Sequence, residues 1–106
     1  TYIMTIEVLN LHLSNLGEVT TLEAVENMLR EDLWLPSVDE MDSNEPRELL
    51  GTATTYQISE DNQMTNTDGE KLGDCLDTIE INLYRYSGEH DAYEIRILDI
   101  FGSPIL

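Results

Sequence analysis

The apolar positions of this chain change rhythm from segment to segment, and each rhythm predicts an element. "YIMTIEVLNLHL" (Tyr2 to Leu13) is rich in β-branched and apolar residues. Met4, Ile6 and Val8 share one parity and Leu9, Leu11 and Leu13 the other. That predicts a long strand, bulged near Val8–Leu9 or buried on both faces. "TTLEAVENMLREDLWLP" reads as a helix. Thr20 and Glu23 have capping-box spacing, and Leu22, Val25, Met28, Leu29 and Leu33 form one apolar stripe. Glu26 and Arg30 can pair at i, i+4 on the outer face. Pro36 ends the helix, and Trp34 and Leu35 are expected to close the core.

The next segment, "PSVDEMDSNEPRELLG", reads as a loop with one helical turn, for which Pro46 suits the first position. Thr52 to Ser59 reads as a strand. "EDNQMTNTDGEKLGD" is polar and rich in turn formers, hence a second long loop. In "LDTIEINLYRY", Ile79, Ile81 and Leu83 alternate with Glu80, Asn82 and Tyr84. "SGEHD" is a hairpin turn. In "AYEIRILDIF", Tyr93, Ile95 and Ile97 oppose Glu94 and Arg96, and the tail "GSPIL" is expected to pack back on the sheet. The predicted class is α+β: one domain over residues 1–106, with an antiparallel sheet of about four strands. One main helix covers one face, with a possible short second helix, and the other face is water-facing and partly acidic.

Composition decides that this pattern belongs to a folded domain. Leu, Ile, Val and Phe make up 29 of 106 residues. That is above the roughly 20% below which a highly charged chain reads as disordered.

Charge is the loud signal. The formal net charge is −17, with 22 Asp and Glu against 5 Lys and Arg, and Lys71 is the one lysine. Such a surface repels phosphates, which argues against direct DNA, RNA or anionic-membrane binding. It favours basic partners or metal cations. The single cysteine, Cys75, forbids an internal disulfide and fits a reducing cytoplasm. No apolar run approaches the roughly 18 residues of a membrane span, and no signal peptide is visible. A cytoplasmic location is expected.

The candidate chemistries thin out quickly. With Gly69 at the sixth place of a calcium loop, Asn66 and Asp68 fall third and fifth. Met64 and Cys75 then occupy the first and twelfth places, where carboxylates are required. Asp74 and Asp77 beside Cys75 disfavour a reactive thiolate. His12, His90 and Cys75 lack zinc spacing. There is no phosphate-binding glycine loop and no nucleophile elbow. The expectation is a protein that is not an enzyme and carries no cofactor and no metal.

What remains is the acidic surface, and 14 of the 22 acids lie between Glu31 and Glu80. Alternate residues on a strand lie about 6.6 Å apart on one face. Carboxylates so spaced, or on successive helical turns, approximate a track of phosphates. Two clusters follow as candidate contacts for a basic partner. The first is Asp39, Glu40, Asp42, Glu45 and Glu48. The second is Glu60, Asp61, Asp68, Glu70, Asp74, Asp77 and Glu80. Tyr84 and Tyr86, on the polar side of their strand, are candidate interface anchors.

In size, α+β pattern and acidity over the whole chain, the sequence resembles the small phage-encoded inhibitors that mimic DNA, including anti-CRISPR and anti-restriction proteins. The resemblance implies a basic, nucleic-acid-binding host defence protein whose DNA or RNA groove is blocked by occlusion. Two other readings share the physics. One is an immunity protein or antitoxin covering a basic nuclease toxin. The other is a salt-adapted acidic domain without mimicry.

Overall fold

The computed structural model describes residues 4–41, 44–65, 71–87, 90–99 and 101–104. Of residues 58–65 and 71–77 it describes the backbone alone. The order is helix α1 (Ile6–Asn15), strand β1 (Val19–Thr20), helix α2 (Leu22–Asn27), a π-helical turn (Met28–Asp32) and a 3-10 turn (Val38–Glu40). Then come strands β2 (Arg47–Thr65), β3 (Lys71–Tyr86) and β4 (Asp91–Leu98). The class is α+β.

The first element corrects the expected strand: residues 6–15 are helical. The Thr5 hydroxyl accepts from the Val8 N–H at 3.2 Å and caps the first turn. Leu9 and Leu13 are buried, Ile6 and Leu16 pack beside them, and Leu11 points to water. Spacings of three, four and three residues place the four on one helical face. The change of parity at Val8–Leu9 therefore marks a 3.6-residue period, not a bulge. Gly17, at φ +94°, ends the helix in the left-handed region that favours glycine.

The second helix forms where expected, with its cap moved by one residue. Thr21, not Thr20, caps it, accepting from the Ala24 N–H at 3.2 Å. Thr20 is buried in β1 instead. Val25, Met28, Leu29 and Leu33 are buried as the stripe requires, and Arg30 Nε donates to Glu26 at 3.1 Å. The helix widens after Asn27, with Leu33 N–H donating to the Met28 carbonyl five residues back at 2.9 Å. Leu35 is buried, but Trp34 is 84% exposed, so it does not close the core.

Pro46 does not open a helical turn. It precedes β2, and its carbonyl accepts from the Ser87 N–H at 3.2 Å. The short helical piece lies upstream at Val38–Glu40, capped by the Ser37 hydroxyl on Asp39 N–H at 3.2 Å.

The sheet order is β1-β2-β3-β4. β2, β3 and β4 run antiparallel, but β1 joins β2 in parallel through Val19–Tyr56 and Thr20–Gln57. The sheet is therefore mixed, not wholly antiparallel, and two helices share the covering layer instead of one. Ala53, Ile79, Ile81, Leu83 and Tyr93 meet Met4, Leu9, Leu13, Val25, Met28, Leu29, Leu33 and Leu35 in one core. α1 crosses β2 closely at Gly51, where an added Cβ would stand 3.1 Å from Ile6 Cγ1, so a side chain there would push the helix away.

The strands run through the segment expected to be a long loop. The pairing continues to Gln63–Asp74, Met64–Gly73 and Thr65–Lys71. Residues 66–70, including the predicted "NTDG" turn, lie outside the described residues. Polarity did not break the strand because the antiparallel ladder satisfies the backbone whatever the side chains are. At the other hairpin, Tyr86 N–H donates to the His90 carbonyl at 2.8 Å. Ser37 bridges to Tyr93, and Pro104 of the tail bridges to Leu98, covering parts of the β4 edge.

Candidate functional site

The structure distributes the predicted acids over three settings. Asp39 and Glu40 sit exposed on the 3-10 turn, and Glu48 is exposed near the start of β2. Glu45 is partly buried and accepts from the Ser87 hydroxyl at 3.0 Å. Glu60, Asp61, Asp74, Asp77 and Glu80 lie in β2 and β3, not in a loop. Asp42, Asp68 and Glu70 lie outside the described residues.

The β2–β3 ribbon brings acids of the second cluster together by backbone register. Ile58 pairs with Leu76 and Gln63 with Asp74. Ser59, Glu60, Asp61 and Asn62 therefore oppose Cys75 alone. This bulged stretch places Glu60 and Asp61 across the ribbon from the segment Asp74–Asp77. Glu80 stands further along β3, opposite Thr54 on one side and Arg96 on the other.

The helical layer adds two acids to these. Glu31 and Asp32 are exposed on the π-helical turn, in chain continuity with Asp39 and Glu40. They follow from that turn, which the apolar stripe of the helix does not announce.

Every arginine has a partner within the chain. Arg30 contacts Glu26 at 3.1 Å and Glu40 at 3.4 Å. Arg85 pairs with Asp91 at 2.9 Å and donates to the Met4 carbonyl at 3.2 Å, tying the N-terminal segment to the β3–β4 hairpin. Arg96 stands 3.9 Å from Glu94. Arg47 lies over the Tyr84 ring, 4.3 Å from its centroid. These ion pairs are partly or largely exposed and contribute little stability each. Each arginine charge thus stands beside a carboxylate or a ring face of the same chain.

The uncovered face of the sheet carries a polar network. Thr52 donates to Asn82 Oδ1 at 2.8 Å, and Asn82 Nδ2 donates to Glu94 Oε2 at 3.1 Å. Tyr84 OH donates to the same oxygen at 3.3 Å. Burial first, and then Glu94, raises the Tyr84 phenol above its ordinary value. With Arg47 on its ring and Glu94 on its hydroxyl, Tyr84 is engaged within the sheet. Tyr86 is buried at 3% exposure, which removes it as a surface anchor.

Tyr93 links the layers, its hydroxyl donating to Glu26 Oε2 at 3.1 Å. Burial first, then Glu26, pushes this phenol above its ordinary value of 10.0. The folded state thus favours the neutral phenol. That stability is fully present below pH 10 and is lost as pH rises through the raised folded value. Tyr93→Phe is expected to cost about 1 kcal/mol at neutral pH through the lost hydrogen bond. It is also expected to flatten the alkaline fall in stability. Thermal melts of both proteins from about pH 8 to about pH 11.5 would measure the two effects.

Among the described residues, no three His, Cys, Asp or Glu side chains gather as a metal site, and no helix is long and apolar enough to cross a membrane. An open groove lies between the 3-10 turn and β4, with Ser37, Asp39, Glu94 and Arg96 among its lining residues. His90 is exposed. The arrangement offers exposed carboxylates to cationic groups. Comparison with family models, with curated proteins and with solved structures finds no match for this chain.

Proposed function

We propose that this protein is a non-enzymatic acidic inhibitor of the DNA-mimicking, anti-CRISPR-like kind. It binds a basic, nucleic-acid-binding host defence protein and blocks its DNA or RNA groove by occlusion. The observation that carries the reading is the disposition of charge. A net −17 is presented with all four arginines occupied internally. A groove built for phosphates gains charge-assisted contacts and counterion release on meeting such a surface. Steering speeds the encounter.

The test is capture from bacterial lysate on the immobilised protein at about 0.1 M salt and again at about 0.5 M, where screening shortens electrostatic reach to a few ångströms. The expected result is a basic nucleic-acid-binding protein retained at low salt, released at high salt and displaced by duplex DNA. Capture of a cognate nuclease toxin, with its catalytic activity blocked, would instead make the protein an immunity protein. Capture of nothing, with a melting temperature that climbs steeply with salt, would assign the acidity to salt adaptation and overturn the proposal.

A further inference from the structure

The structure assigns a recognition role to Trp34: we infer that its indole is the anchor on which an arginine side chain of the basic partner stacks. This rests on the partner being basic and names the group that it presents.

Three observations single the residue out. First, Trp34 is the one non-glycine at positive φ among the described residues, at +57°. The left-handed region crowds a Cβ against the backbone, and helices that end there usually place glycine at the turn. The first helix does so, at Gly17. The second uses the chain's only tryptophan. Second, the fold buries little of the residue in return. It is 84% exposed, while Leu33 and Leu35 on either side are buried at 5% and 7%. Third, the backbone around it is pinned. Leu33 N–H donates to the Met28 carbonyl at 2.9 Å, Leu35 N–H to the Leu29 carbonyl at 2.7 Å, and Tyr93 N–H to the Pro36 carbonyl at 3.2 Å. The Arg30–Glu40 pair, at 3.4 Å, closes the base of the segment. Strain at a pinned, exposed residue points to use outside the fold.

The surroundings choose the occupant. Glu31 and Asp32 precede the ring and Asp39 and Glu40 follow it, all exposed. The cation within this segment, Arg30, is held by Glu26 and Glu40. An apolar partner pocket would have to bury Glu31, Asp32 and Asp39 while bringing no cation to them, at high cost. A guanidinium meets both features: its plane stacks on the indole while its N–H edges reach carboxylates. A lysine ammonium, compact and strongly hydrated, stacks less well.

Being the only tryptophan, Trp34 reports on itself by fluorescence. The protein is titrated with octa-arginine and with octa-lysine at about 0.05 M salt, where steering is strong. Octa-arginine is expected to change the emission saturably and to bind more tightly than octa-lysine. With dye-labelled peptides, Trp34→Ala is expected to lose about five-fold in affinity for octa-arginine and little for octa-lysine, and Trp34→Phe to keep part of the difference. Trp34→Gly, which relieves the strain, is expected to melt about 4 °C higher. Unchanged peptide affinities in Trp34→Ala, with both peptides lost on reversing Glu31, Asp32 and Asp39 to lysine, would overturn the anchor and leave the acidic reading standing. Full retention of both peptides in every variant would overturn both. A Trp34→Gly protein that melts lower would show that the ring serves the fold and overturn the anchor.

Discussion

Leu9→Ala is expected to lower stability by about 2–5 kcal/mol, and Leu11→Lys, two residues on, to change it by less than about 0.5 kcal/mol. Leu9 is fully buried against the sheet, while Leu11 is 62% exposed. Truncating Leu9 removes buried methylenes and leaves a cavity that packed neighbours fill only in part. The loss is a large share of the roughly 5–15 kcal/mol that holds a domain of this size. Leu11 exchanges an exposed apolar side chain for a good helix former, and its charge eases the acidic surface. Urea titration of both variants measures the pair. A strand over these residues would place both leucines on one face and make both substitutions costly. Equal losses would therefore refute the helix.

That contrast shows where the sequence was legible. Alternation in Ile79, Ile81 and Leu83 identified β3 because three successive inward positions are all buried. The stripe from Val25 to Leu33 identified the second helix for the same reason. In residues 6–15, spacing and residue type disagreed. Ile6 and Val8 have β-branched side chains, and a short run can be cut by parity as easily as by a 3.6-residue period. The Thr5 cap and the exposed Leu11 decide for the helix, and neither exists until the chain is folded.

The ribbon was illegible for a different reason. Among the described residues, β3 has no β4 partner beyond Thr78–Leu98, and β1 reaches β2 only at Tyr56 and Gln57. The strand ends past that point are joined by β2–β3 backbone pairing, and their polar composition looked like a loop. Trp34 was misplaced because residue type spoke for burial and Pro36 for a helix end. The sequence does not record that a tryptophan fills a position suited to glycine. Of the candidate site, the sign and density of charge were plain in the composition. Its division between a turn beside the helical layer and a β-ribbon was not, since that depends on register and on the π-helical turn.

Reversing Glu31, Asp32 and Asp39 to lysine is expected to weaken binding to the captured basic partner about a hundred-fold, while the melting temperature stays level or rises. The three are exposed, and the change takes the formal charge from −17 to −11, two units for each reversal. An exposed opposite-charge contact contributes up to about 1 kcal/mol. Reversal both removes the contact and adds repulsion, so three sites at about half that value per unit of charge sum to about 3 kcal/mol, or about two powers of ten in affinity. The fold gains from the same change because it removes like-charge repulsion on a heavily acidic surface. Net charge alone would produce part of this effect, and a matched control separates the two. Reversing Glu7, Glu18 and Glu23, which are also exposed, changes the charge by the same six units on α1, the turn before β1 and the first turn of α2. Calorimetric titration of both triple variants at about 0.1 M salt decides the matter, since screening there confines most of the effect to within about 10 Å. A large loss in the first variant with a small loss in the control places the contact around Trp34 and the 3-10 turn. Equal losses would mean that the partner reads total charge and would dismiss this surface as the interface. A first variant that binds as well as the parent would move the contact to the β2–β3 ribbon, where Glu60, Asp61, Asp74 and Asp77 would be the next residues to reverse.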